Sequence, residues 1–106
     1  MTINILGQDY DYQEASQKDD PRLAEADGYC DQYSKIIRIE NDFYENHPKA
    51  VSNIKLHREK VIRHEIIHAF FNESGLRKYN ENEELVDWIA VQLPKINKVL
   101  ESLNIV

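Results

Sequence analysis

The residues with the clearest chemical potential are His64, Glu65 and His68, which stand in the run Val61-Ile62-Arg63-His64-Glu65-Ile66-Ile67-His68-Ala69-Phe70-Phe71. On a helix, positions four apart share a face, so the two imidazoles offer nitrogens to a single point. Two histidines at that spacing make half of a zinc site. Glu65 is rotated by about 100° from His64, so it flanks that point without binding it, where a general base for an attacking water belongs. Histidine pairs of this kind also occur on solvated helix faces. Here, however, Val61, Ile62, Ile66, Ile67, Ala69, Phe70 and Phe71 make the run apolar almost all round, the pattern of a helix buried in its own domain. Two imidazoles and a carboxylate placed there need partners, because burying polar groups unpaired costs about 2–7 kcal/mol each, and one metal ion satisfies all three.

A hydrolytic zinc site takes three protein ligands and keeps its fourth position for water. The long metzincin pattern would put a glycine at position 71 and its third histidine at position 74, where this chain has Phe71 and Ser74, so that class is excluded. The third ligand must then come from another helix. A second helix is predicted from Asn80 or Asn82 through Leu93, where Pro94 breaks or kinks it. Glu83 is its best candidate ligand, with Glu84 behind it. Acidic residues also collect in a first turn to suit the helix dipole, and Asn80 with Glu83 could form a capping box. That account does not reach Asp87, one turn further in, which shares a face with Glu83 and Ala90. Asp87 is suited to accept the second ring N–H of a ligating histidine and fix its tautomer.

These residues carry a resemblance. His64-Glu65-Ile66-Ile67-His68 followed by Asn82-Glu83-Glu84-Leu85-Val86-Asp87 resembles the HExxH and NExxxD pairing of gluzincin metallopeptidases. The stretch from Glu83 through Asp87 and Ala90 to Leu93-Pro94 also resembles the ImmA/IrrE group of small metallopeptidases from phages and mobile elements. The resemblance implies one zinc ion held by His64, His68 and Glu83, Glu65 as catalytic base, and Asp87 behind the ligands. It also implies a minimal zincin-like fold and hydrolysis of peptide bonds in an intracellular protein substrate. Where larger gluzincins supply an oxyanion-stabilising residue from a further domain, Tyr33, Tyr44 and Tyr79 are the candidates here. The DNA-binding module often associated with the phage group is not found in this sequence, so any partner protein that delivers substrate is expected to be separate.

The elements that must position this site follow from the patterning. The ligand-bearing helix is predicted to begin at Ser52 or Asn53 and to end at Ser74 before Gly75. His57 lies on the same face as His64 but about 10 Å along the axis, too far to join the same ion, and reads as structural or solvent-exposed. His47, before Pro48, reads as a surface histidine in a loop. Residues 2 to 14 alternate as a strand or bent hairpin, residues 14 to 21 read as a surface loop ending in a turn signal, and a short helical turn is expected to open Arg22 to Asp27. Two short strands spanning residues 28 to 40 follow, with Gly28 allowing the entry. The expectation is an α+β domain: a small antiparallel sheet of about three strands, the HExxH helix, and one or two C-terminal helices. Ile96, Val99, Leu100 and Leu103 are expected to pack on the core as scaffold. An extended substrate is expected to add to an exposed sheet edge, with Lys35 to Glu40 as the segment.

Composition bounds the rest. With 106 residues, a single domain spanning 1–106 is expected, large enough to fold without staples. A formal charge of −6 argues against direct binding of nucleic acid or anionic membrane, both of which call for a basic patch. Cys30 is the single cysteine, and the N-terminus lacks the pattern of an export signal, so a cytoplasmic protein is expected. Two other readings compete with a peptidase: a module that keeps zinc for structure or to hold a protein without cutting it, and a metal-free interaction protein. Imidazole and carboxylate ligands also suit iron, cobalt and nickel.

Overall fold

The computed structural model describes residues 1–41 and 53–105; Tyr44, His47 and Ser52 lie outside them. The chain opens with a hairpin of β1 (Thr2–Ile5) and β2 (Gln8–Ala15). Its two turn residues, Leu6 and Gly7, both have positive φ (50° and 92°), the requirement of a type I′ turn. Asn4 Oδ1 accepts the Gly7 N–H at 2.9 Å and helps hold the turn. A 3-10 turn at Pro21–Ala24, anchored by buried Leu23, leads to a second hairpin of β3 (Gly28–Asp31) and β4 (Ile36–Glu40). There Asp31 Oδ1 accepts from the N–H groups of Tyr33 and Ser34, both at 3.0 Å.

The sheet has four strands in the order β1-β2-β4-β3, and β2 pairs with β4 in parallel. This corrects the expected three-stranded antiparallel sheet. Alternation within a segment fixes which side chains face the core, but not which strand lies alongside. The connection through residues 16–27 stays at one end of the sheet and passes the place of β4; β3 carries the chain back, so β4 runs in the same direction as β2. A second correction follows: the stretch Lys35 to Glu40 supplies an interior strand, with Ile37 and Ile39 wholly buried, and cannot offer an edge to substrate. The edges are β1 and β3.

One face of the sheet is covered by α1 (Ile54–Ser74), capped by the Asn53 side chain on the Leu56 N–H and ended by Gly75 at φ 72°. Its buried residues are Val61, Glu65 and Ala69, each four positions on, and Val61 and Ala69 join Ile5, Tyr10, Ile37 and Ile39 in the core. The helix is therefore buried along one stripe and not all round, and Phe70 is exposed. Gly28 is present for this packing: a Cβ there would lie 3.0 Å from Val61 Cγ1.

A short α2 (Arg77–Asn80) turns the chain into α3 (Glu83–Ser102), capped by Asn82 Oδ1 on the Leu85 N–H. Contrary to expectation, α3 runs through Pro94 as one helix. Proline has no N–H for the carbonyl four residues back. That carbonyl, on Ala90, instead accepts from Arg63 Nε of α1 at 2.6 Å, which supplies the missing donor. α3 rests on α1 through Val86 and Ala90, and no described residue beyond Ala90 on it is buried. Ile96, Val99 and Leu103 therefore do not pack on the core as expected; they face outward. The architecture is a small α+β fold, and among the described residues no helix is long and apolar enough to cross a membrane.

Candidate metal centre

α1 sets His64 and His68 one turn apart with ring centroids separated by 4.9 Å and Nε2 atoms by 3.2 Å. α3 brings in Glu83 from its first turn, where the Asn82 cap fixes the helix start. Glu83 Oε2 lies 2.9 Å from His64 Nε2, and Oε1 lies 2.9 Å from His68 Nε2. Glu84 is turned away and lines a separate hollow with Asn82, Leu85 and Trp88. Of the two carboxylates weighed from sequence, Glu83 is the one brought to the histidines.

The far ring nitrogens fix what the near ones present. Asn80 Nδ2 donates to Asn72 Oδ1 at 2.7 Å, so Asn80 turns its carbonyl oxygen, an acceptor, toward His68 Nδ1 at 2.7 Å. A His68 proton is thereby held on Nδ1, which leaves Nε2 as the nitrogen available to an ion. Asp87 Oδ1 stands 3.4 Å from His64 Nδ1 and favours the same tautomer there; it also meets Lys60 Nζ at 3.3 Å. Asn72 continues the chain of contacts to the Cys30 Sγ on β3 at 3.8 Å.

Two imidazole nitrogens and a carboxylate thus converge on one point, a donor set that suits a divalent cation. Zinc bonds of 2.0–2.1 Å in a tetrahedron hold their donor atoms about 3.3 Å apart. The two Nε2 atoms, 3.2 Å apart, match that spacing, and one oxygen of Glu83 completes a set of three donors all within 4.8 Å of one another. The residues fit a small divalent ion.

Glu65 occupies the sheet-facing stripe between Val61 and Ala69 and is only 7% exposed. Burial, followed by the nearby Glu83 charge, pushes its carboxyl up to about 7. With His64, His68, Gly28, Tyr29 and Cys30 it lines a hollow of about 410 Å³. Burial, and next the Glu65 charge, push the Cys30 thiol up to about 12, so in the metal-free protein it lines the hollow as a neutral group.

Of the tyrosines considered for an oxyanion, neither Tyr33 nor Tyr79 lines this hollow; Tyr79 stacks on Phe71 with centroids 6.4 Å apart. Tyr29 does line it, but its hydroxyl is donated to Asp20 Oδ2. His57 Nε2 meets Asp27 Oδ2 at 2.8 Å, and this pair lines a second hollow together with His64, Glu65, Glu83 and Asp87. The residue that sequence reasoning missed is Asn80, taken there for a helix cap. The signal was present: Asn80-Glu81-Asn82 offers two capping residues where one helix start needs only one.

Comparison of the chain with known protein families, with curated proteins and with solved structures gave no match.

Proposed function

We propose that this chain is a zinc-dependent peptidase of minimal zincin-like architecture that hydrolyses peptide bonds of a protein substrate. The observation that carries the reading is the triangle of His64 Nε2, His68 Nε2 and a Glu83 carboxylate, with buried Glu65 beside it. A zinc ion held by those three residues supplies a Lewis acid and a water of pKa near 7. Glu65 takes the proton from the attacking water and delivers it to the leaving amine, the work of a general base and then acid whose affinity for a proton lies near neutrality. Asp87 and Asn80 hold the two imidazoles in the tautomer that turns Nε2 inward. Cys30 and Gly28 form a wall of the hollow from β3.

The substrate strand belongs on β3. It is an edge of the sheet, and Gly28, Tyr29 and Cys30 lie along the hollow that contains Glu65, so an extended peptide pairing with β3 passes the reacting groups. Peptides N-methylated at alternate backbone nitrogens should then lose binding, while side-chain changes away from the scissile bond cost less.

The decisive experiment measures metal by elemental mass spectrometry, alongside cleavage of a denatured protein or peptide library, for wild type and Glu65→Gln. Near-stoichiometric zinc in both, with cleavage only in wild type, is the expected result. Zinc in both with no cleavage by either would leave a zinc-holding module; no metal in either, even after zinc is added back, would remove the catalyst from the proposal.

A further inference from the structure

Outside the metal centre, the largest unexplained feature is the outer side of α3. Trp88, Ile96, Val99 and Leu103 are exposed at 57%, 43%, 59% and 60%. At about 100° per residue, Leu85, Trp88, Gln92, Ile96, Val99 and Leu103 fall within an arc of about 80°. Their spacing is 3, 4, 4, 3, 4, an eleven-residue repeat close to the natural period of the helix. The stripe therefore stays on one side along its length, about 27 Å at 1.5 Å per residue. Val86 and Ala90, which seat α3 on α1, lie on the far side. Glu83 and Asp87, which face the metal centre, lie beside them on that far side and away from the stripe. A continuous apolar stripe of this length on a water-facing helix marks an interaction surface.

We propose that this stripe pairs with the same stripe of a second copy of the chain, with the two α3 helices antiparallel about a two-fold axis at Gln92. The charges beside the stripe choose the occupant and its direction. One flank carries Glu84 near the N-terminus of α3 and Lys95 and Lys98 beyond the middle, all exposed. The other flank carries Ile89, Leu93 and Leu100, each partly buried. An antiparallel two-fold sets each flank against itself. Glu84 then meets Lys98 of the second copy, and Lys95 lies over Trp88 of the second copy as a cation over an indole face. A parallel pair would set the charged flank against the apolar one and leave both lysines without a counter-charge.

The same register puts Leu85 opposite Val99 and Trp88 opposite Ile96. It carries Leu103 toward the hollow of about 340 Å³ lined by Asn82, Glu84, Leu85 and Trp88. Gln92 meets its own copy on the axis, where two side-chain amides each donate and accept, a polar pair that fixes register. Both metal centres remain open, because Glu83 points elsewhere. The dimer is independent of whether the centre holds zinc or cuts peptides.

Sedimentation velocity of the full chain, from low micromolar to submillimolar concentration, tests this directly. The expected result is a rise from monomer to dimer mass, with Trp88 emission shifting to the blue over the same range. Ile96→Glu and Val99→Glu each hold the chain monomeric with unchanged far-UV circular dichroism. Glu84→Lys and Lys98→Glu each weaken the dimer by about tenfold, and the double variant restores it. Monomer mass at every concentration overturns self-association and leaves the stripe to a different protein. A dimer that the double variant fails to restore overturns the antiparallel register.

Discussion

The two helices that meet at the metal centre contribute to it in opposite ways. α1 brings His64 and His68 with side chains 17% and 13% exposed, and Glu65 beside them in the helix stripe that faces the sheet. α3 brings Glu83 at 67% and Asp87 at 44%, each close to water. Groups held in a low-dielectric, hydrogen-bonded setting keep their geometry without an ion, while an exposed carboxylate gains a fixed position chiefly from what it binds. On the proposed function, the α1 half would be built before a metal arrives, and the α3 half would be closed by it.

Glu65→Gln bears hardest on the α1 half. Turnover should fall by about 10²–10⁴-fold while metal content stays at the wild-type level, read by steady-state kinetics beside elemental analysis. Next come the ligands. His64→Ala and His68→Ala should each lower zinc affinity by more than the about 10–100-fold typical of losing a supporting hydrogen bond, and by more than Glu83→Ala does, measured by competition with a chromogenic chelator. Equal losses at all three would erase the distinction between the halves.

The buried carboxyl sharpens the contrast in the metal-free protein. Glu65 is raised from 4.5 to about 7 on folding, so the folded state holds its proton more tightly. Its contribution is fully present below pH 4.5 and is lost as pH rises through 7, a total of about 3 kcal/mol. Denaturant unfolding of metal-free protein should show that decline with rising pH, and Glu65→Gln should flatten it over the same window. Asn80→Ala, which frees His68 Nδ1, should cost about 10–100-fold in zinc affinity. Asp87→Asn should cost less, because that carboxylate is partly exposed and shared with Lys60.

The residues that converge at the centre were legible wherever their placement follows from local geometry. The four-residue spacing of His64 and His68, the Asn53 cap and the Gly75 stop are all properties of one helix. Glu83 over Glu84 needed more than helical periodicity, since the choice depends on where α2 sets the start of α3. Asn80 was hidden for the same reason. The parallel pairing of β2 with β4, and hence the change of edge from β4 to β3, depends on how the connection through residues 16–27 crosses the sheet. Pro94 was misread because its rescue comes from Arg63, far off in sequence, and the outward face of α3 was misread because helical apolar spacing does not say which partner it meets.

Arg63 and Pro94 together divide α3 in its unfolding behaviour. Pro94 removes one bond from the ladder of backbone hydrogen bonds, and the Ala90 carbonyl next to the gap accepts from Arg63 Nε of α1. Fraying that starts at Ser102 and moves inward meets a helix one backbone bond weaker at Pro94, while the first half is held by Val86, Ala90 and the Arg63 contact. Amide hydrogen exchange on dilute protein should therefore run fast from Val99 to Ser102 and slowly around Val86 to Ala90. The distal half of α3 is thus the part of the helix least tied to the fold, and the half that carries Glu83 is the part most tied to it.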